Sequence, residues 1–391
     1  MYPTNTPLRV VPPGDAPQNS VRPLNSIYFY LTEGCNLRCR HCWIGPEYEP
    51  SGTAYGTLPL PTFVSIISQA KPLGLTSVKL TGGEPLMHPQ ISQILDHIRA
   101  ADLRLNMETN GVLCTPELAR EMATCKGAGI SVSLDGADAP THEWMRRVDG
   151  CFGEAVQGIK NLVSAGFRPQ IIMTLTRKNV SQMEALVKLA DDLGAGSVKF
   201  NVLQPHARGK KLVESGETLT MDELVTLGRW VETDLAARSK VRLYFDHPPA
   251  FRSLKTMFDP DSRGCGVCGM LGIVGVLADG SYAMCGIGTT VPELIFGQAT
   301  KDRLADVWQK NPVINELREG LPERLGGICS DCSMKTLCKG SCIAQNYATS
   351  RSLWAPYWYC EEARKQGLFP ETRIMAKSKV ASAIPTLQPV R

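Results

Sequence analysis

Between residues 27 and 203, short apolar runs are separated by stretches whose apolar residues recur every three or four positions. The apolar runs predict strands over 27–32, 77–81, 103–108, 130–134, 170–175 and 197–203. The helical spacing between them predicts helices over 60–73, 91–101, 116–126, 152–165 and 180–193. In the last of these, Leu186, Leu189, Ala190 and Leu193 fall on one face. Six strand–helix repeats imply an α/β fold with a parallel sheet, either barrel-like or doubly wound. Right-handed crossovers place the loops that follow the strands at one end of the sheet. In barrels, that end carries the active site.

Outside this region the texture differs. Residues 1–25 are rich in Pro and Asn and read as an irregular lead-in. Residues 241–245 read as a further strand or as part of a bridge spanning 241–263. From 264 to 365 cysteines become dense and regular alternation stops, which implies irregular α+β structure. One hairpin is expected there, with strands over 272–277 and 281–284 around Ala278-Asp279-Gly280, because Asp-Gly favours a tight turn. A single helix is expected over 304–317, and 366–391 reads as a loosely attached tail.

The chain has 391 residues, enough for two or three domains and a sizeable core. A net charge of +4 with 20% charged residues argues for neither nucleic acid nor membrane as partner. The N-terminus lacks a basic segment followed by an apolar one, so no signal peptide is expected. No run of about 18 apolar residues predicts a membrane span. The expectation is a cytoplasmic protein. Fourteen cysteines in such a chain point to metal or redox sites rather than a disulfide framework.

Three of them, Cys35, Cys39 and Cys42, follow the first predicted strand with the spacing C-x3-C-x2-C. Three thiolates on one short loop can hold three corners of a cubane iron–sulfur cluster and leave one iron open to a non-protein ligand. A zinc knuckle is the rival reading of the spacing alone. At these residues the chain resembles the radical S-adenosylmethionine (radical SAM) superfamily. The resemblance implies a partial (β/α)6 barrel over 26–240. It also implies a cluster whose open iron binds SAM, and reductive cleavage of SAM to a 5'-deoxyadenosyl radical that abstracts hydrogen from substrate.

Further motifs carry the resemblance. Thr81-Gly82-Gly83-Glu84-Pro85 follows the second strand. Two glycines let the backbone approach a ligand closely, and the Glu84 carboxylate can accept a hydrogen bond from an ammonium. In the family this element binds the amino group of SAM. Ser133 ends the fourth strand and Arg146 follows, with Arg147 as the alternative. The resemblance assigns such a pair to the ribose and carboxylate of SAM, and a guanidinium suits a carboxylate. Glu108-Thr109-Asn110-Gly111 after the third strand also matches, with Asn110 either orienting SAM or forming a turn. His41 stands where the family often places an aromatic residue against adenine, a departure that keeps a planar ring.

The C-terminal cysteines resemble the SPASM domain, which holds two auxiliary 4Fe–4S clusters. By the family pattern, Cys265, Cys268, Cys285 and Cys342 hold one cluster, and Cys329, Cys332, Cys338 and Cys360 hold the other. Two zinc sites are the rival reading. The implied cofactors are therefore three 4Fe–4S clusters and SAM. Cys114, Cys125 and Cys151 read as small buried hydrophobes.

SPASM proteins mostly modify peptides or proteins, so the expected substrate is a ribosomally made precursor peptide. The expected outcome is backbone excision, a crosslink or epimerisation, and the sequence bears some likeness to the tyramine-excising subgroup. The alternatives are a radical SAM step in cofactor or haem biosynthesis, sulfatase-type protein maturation, and, more remotely, a non-catalytic metalloprotein. Only about 25 residues precede the first strand, too few for a leader-binding domain. A separate leader-binding partner protein is therefore expected, along with an electron donor such as a flavodoxin or ferredoxin. Asp246 and His247, at the junction between barrel and cysteine-rich region, are the candidates for a general base.

Overall fold

In the segment Ser77–Thr81, Val78 and Leu80 are fully buried, while Ser77, Lys79 and Thr81 are half-buried. Successive side chains of a strand point to opposite faces, so one face of this strand is apolar and the other polar. Arg104–Thr109 and Gly129–Ser133 alternate in the same way. In the computed structural model, which describes residues 22–49, 55–258 and 267–375, these strands lie side by side in one ten-stranded sheet.

Seven of its strands run parallel in chain order: β1 (Ser26–Tyr30), β4 (Ser77–Thr81), β5 (Arg104–Thr109), β6 (Gly129–Ser133), β7 (Gln170–Leu175), β8 (Ser197–Val202) and β9 (Arg242–Phe245). Two short strands, β2 (Gly34–Cys35) and β3 (Glu47–Tyr48), pair separately beside the end of β1. The segment read as strand or bridge is β9, whose Phe245 pairs with Phe200 of β8. Helices α1 (Leu60–Ala70), α2 (Ile91–Ala100), α3 (Pro116–Ala123), α4 (Ala139–Arg146), α5 (Cys151–Ser164) and α6 (Met183–Asp192) connect the strands. Their apolar faces, such as Phe63, Ile66 and Ile67 of α1, join Val78 and Leu80 in one core. The sheet does not close, because β9 and the far strand over Ile295–Gln298 remain edges. Among the described residues no helix is long and apolar enough to cross a membrane.

The cysteine-rich half is built onto this sheet. The expected hairpin forms from β10 (Ile273–Val276) and β11 (Ser281–Ala283), and Asp279 Oδ1 accepts a hydrogen bond from Ser281 N at 2.8 Å in the turn. β10 pairs in parallel with β1, Ile27 opposite Val274, and β12 (Ile295–Gln298) follows β11. Apolar runs in the sequence mark the strands but not this long-range pairing.

Three expectations change. The helix expected over 304–317 is two helices, Leu304–Lys310 and Pro312–Gly320. Pro312 has no N–H to continue the first helix, and Asn311 Oδ1 caps the second through Val313 N and Ile314 N. Helix α4 was not expected, although Asp138 caps it by accepting from Thr141 N at 2.9 Å. The tail is docked through residue 375. Phe369 is buried with its ring 5.6 Å from that of Phe251, and Arg373 Nη2 donates to Arg252 O at 3.0 Å. Residues 1–21 of the lead-in and 376–391 of the tail lie outside the described residues.

Helix α5 sits so close to the β5 loop that a Cβ on Gly158 would fall 2.0 Å from Gly111 O. Alanine favours an isolated helix over glycine by about 1 kcal/mol, yet here overpacking wins. Gly158→Ala is expected to destabilise the fold by about 1–3 kcal/mol in urea unfolding, the reverse of the propensity effect.

Candidate active site

The cysteine loop leaves β1 at the C-terminal end of the sheet. Cys35 and Cys39 are buried, Cys42 is half-buried, and all three are free thiols. Two backbones hold the loop. On one side, Gly83 N donates to Thr32 O at 3.0 Å and Glu84 N donates to Gly34 O at 3.1 Å. A Cβ on Gly83 would lie 1.8 Å from Gly34 O, and Gly82 has φ +130°, so glycine is required at both positions. On the other side, the last carbonyls of α4, which have no partner within the helix, accept from the loop. Arg38 N donates to Arg146 O at 3.1 Å, Arg40 N to Met145 O at 2.9 Å, and Arg40 Nε to Trp144 O at 2.8 Å.

The thiols face an open cleft, which His41, Gly82, Gly83, Glu84, Asn110, Ser133 and Arg146 also line. Pro85 instead opens the short turn Pro85–Met87 behind it and is buried. The Glu84 side chain is 1% exposed. Its Oε1 accepts from Thr109 Oγ1 at 2.6 Å and Leu86 N at 3.1 Å, and its Oε2 accepts from Asn110 N at 2.8 Å. Burial pushes its carboxyl up to about 7 although these bonds pull it down. Glu84 thus ties the end of β4 to that of β5. Asn110 in turn donates to Asn36 Oδ1 at 2.7 Å, bracing the cysteine loop.

Arg146 is 6% exposed. Its Nη1 donates to Cys39 Sγ at 3.3 Å, and its Nη2 lies 2.7 Å from Asp135 Oδ2 in an ion pair not aligned as a hydrogen bond. Asp135 is fully buried and accepts from Thr174 N at 2.8 Å. Although burial disfavours its charged form, Arg146 and the neighbouring histidines hold its carboxyl below the usual range. His41 Nε2 stands 3.8 Å from the same carboxylate. Burial pushes His41 down to about 4, against the pull of Asp135, so the ring is neutral near neutral pH. Arg147, the alternative to Arg146, is exposed at the left-handed end of α4.

These residues suit an iron–sulfur cluster with a small polar ligand. Three thiols share one wall of the cleft, and no fourth cysteine lines it among the described residues. A cubane spreads its ligands over several irons, so three thiolates leave one iron open to a further ligand. Arg146 Nε and His41 Nδ1 are buried without a partner among the described residues, two polar atoms available to a ligand.

Cys329, Cys332, Cys338 and Cys360 line one small, mostly apolar cavity beside Pro248 and Phe369. Cys342 does not line that cavity; burial pushes its thiol up, and the charges of Cys268 and Cys285 push it in the same direction. Cys265 falls outside the described residues. These thiols are donors suited to auxiliary clusters.

The two base candidates are not in the cleft. His247 is buried behind the sheet, its Nε2 2.8 Å from Glu232 Oε1 and its ring against Phe245 and Phe251. Asp246 faces Lys199 at 3.9 Å. Their position at a strand end did not reveal which way the side chains turn. The structure also places further side chains in and around the cleft. Arg208 lines the cleft beside Cys42, with its N donating to Cys42 O at 3.1 Å. Cys151 packs against Cys35 and Cys39. Glu108 lines both the cleft and a second cavity, of about 970 Å³, on the polar face of the sheet. It pairs there with Lys79 Nζ at 2.5 Å.

The close contact at Gly83 makes a measurable demand. Gly83→Ala is expected to displace the cysteine loop and leave the later cysteines untouched. Reconstituted protein should then lose about four of about twelve irons per chain, measured by iron and sulfide analysis.

Comparison with known proteins agrees with this geometry. The pattern that defines the radical SAM superfamily matches residues 29–190, and that of the SPASM iron–sulfur cluster-binding domain matches 265–333. The chain is 31% identical over 349 residues to an AdoMet-dependent heme synthase of Methanosarcina barkeri, covering 85% of this chain and 95% of that protein. It is 28% identical over 353 residues to the mycofactocin maturase MftC of Mycobacterium tuberculosis, covering 89% and 86%. Its fold matches Streptococcus suis SuiB bound to S-adenosylmethionine with a TM-score of 0.67 at 19% identity, covering 87% of this chain and 78% of that one. The chain belongs to the radical SAM superfamily and carries a SPASM domain, the combination that implies one SAM-binding 4Fe–4S cluster and auxiliary clusters behind it.

Proposed function

We propose that this radical SAM enzyme matures a ribosomally made precursor peptide. Cys35, Cys39 and Cys42 hold the SAM-binding cluster, with His41, Gly82, Gly83, Glu84, Asn110, Ser133 and Arg146 around SAM and Pro85 behind them. Cys265, Cys268, Cys285 and Cys342 hold one auxiliary cluster, and Cys329, Cys332, Cys338 and Cys360 the other. Bound together, the SAM cluster and SAM supply a 5'-deoxyadenosyl radical that removes a hydrogen atom from the substrate. A flavodoxin- or ferredoxin-type donor supplies electrons, and a separate protein presents the leader, all in the cytoplasm.

The observation that carries the peptide reading is the polar face of the sheet. Below the cleft the strands turn Tyr28, Lys79, Asn106, Glu108, Ser131 and Gln170 toward the second cavity, where an ordinary barrel packs bulky apolar residues. Such a lining suits the amides and polar side chains of a peptide better than a flat apolar macrocycle. Likeness to a mycofactocin maturase supports the same reading. Likeness to an AdoMet-dependent heme synthase supports a second, a small-molecule step. Co-expression with candidate precursor genes followed by mass spectrometry in heavy water decides between them. A defined mass change or deuterium uptake in a peptide is expected; a modified tetrapyrrole with unmodified peptides would favour the second reading.

Glu108 is the substrate-facing acceptor in this reading. Lys79 holds one of its oxygens, and among the described residues no donor reaches the other. Burial acts to raise its carboxyl, but the Lys79 charge and hydrogen bond overcome this and keep it below the usual range. Glu108→Gln is expected to keep forming 5'-deoxyadenosine while peptide product falls about 100-fold or more, with Glu108→Asp restoring part. Equal loss of both would instead mark a structural role.

A further inference from the structure

We infer that Arg146 and Asp135 form a charge pair that sets the reduction potential of the SAM-binding cluster, Arg146 acting directly on the Cys39 corner and Asp135 limiting how much of its charge is felt there. The inference does not depend on which substrate the enzyme takes. It depends on Cys39 being a cluster ligand.

The contact is fixed by backbone rather than by a free side chain. Cys39 sits between Arg38 and Arg40, whose backbone N–H groups donate to the last carbonyls of α4 at 3.1 and 2.9 Å. Arg146 is the final residue of that helix. Docking the helix end onto the loop therefore places the guanidinium next to the thiol, with Nη1 at 3.3 Å from Sγ. Arg146 is 6% exposed and Cys39 is 7% exposed, so solvent screens the contact little.

Asp135 is equally fixed. Its side chain is fully buried, Oδ1 accepts from Thr174 N at 2.8 Å, and its carbonyl accepts from Asn179 Nδ2 at 3.0 Å. Its Oδ2 lies 2.7 Å from Arg146 Nη2. One guanidinium thus faces a cluster thiolate through one nitrogen and a carboxylate through another.

Hydrogen bonds to cluster sulfurs and nearby net charge set the potential of an iron–sulfur centre. Reduction adds negative charge, so a buried cation beside a ligand thiolate favours the reduced state and raises the potential. A buried anion lowers it. The two residues must therefore act with opposite sign. A pair that only held the loop in place would not do so, since breaking it from either side would disturb the same contact in the same way.

The test is a redox titration of reconstituted full-length enzyme followed by electron paramagnetic resonance. The signal absent from Cys39→Ala identifies the SAM-binding cluster among the three. Its midpoint is expected to fall in Arg146→Met, stay nearer wild type in Arg146→Lys, and rise in Asp135→Asn, while the auxiliary signals stay in place. Melting temperatures of the cluster-free proteins separate folding defects from tuning, because Asp135→Asn is close to isosteric. Shifts in the same direction, or no shift in either Arg146→Met or Asp135→Asn, would overturn the inference. Survival of every cluster signal in Cys39→Ala would overturn it differently, by removing the ligand assignment beneath it, whereas the choice of a peptide as substrate is read separately by the co-expression experiment.

Discussion

The approach of Gly83 to Gly34 O is the contact on which the site depends. It brings the turn after β4 against the loop after β1 closely enough that no side chain fits between them. From there the constraints spread. Glu84, next in the chain, is drawn inward and satisfied by groups at the end of β5. Asn110 reaches back to Asn36. The end of α4 closes the loop from the other side. Each of these elements follows a different strand, so the parallel sheet has to form before the cysteines have a fixed geometry.

Buried charge is the second theme. Arg146, Asp135, Glu84 and His41 all lie on or beside the cleft with little solvent contact. An unpaired buried charge is costly, and each of these is either compensated or pushed to its neutral form. Asp135 has Arg146 and the Thr174 amide. Glu84 accepts three hydrogen bonds and is still held near neutrality. A site arranged in this way is prepared for a ligand that brings charges of its own.

The strand alternation was legible in the sequence. Val78 and Leu80 had to face a core, and the polar residues between them had to face elsewhere. The six strands lie within two residues of the positions the apolar runs predict, and the helices cover them as helical spacing requires. The spacing of Cys35, Cys39 and Cys42, and the paired glycines, showed where a cofactor would be sought. The helix break at Pro312 was written in the sequence as well, but the run of apolar residues on both sides hid it. By contrast, no local signal showed that Phe369 and Arg373 dock, because their partners Phe251 and Arg252 are more than a hundred residues away.

The sequence by itself determined the repeating α/β pattern and the cysteine spacings able to hold clusters, since both follow from short-range periodicity and spacing, while its resemblance to a family pointed to the residues around SAM. Tertiary structure decided which of those residues meet. It brought Cys360 to the same cavity as Cys329, Cys332 and Cys338. It turned His247 away toward Glu232, and it brought Asp135, Arg208 and Glu108 into view. It also laid β10 against β1, joining the two halves in one sheet. These outcomes rest on pairings between distant segments and on the direction of each side chain at a strand end, and neither leaves a periodic trace along the chain.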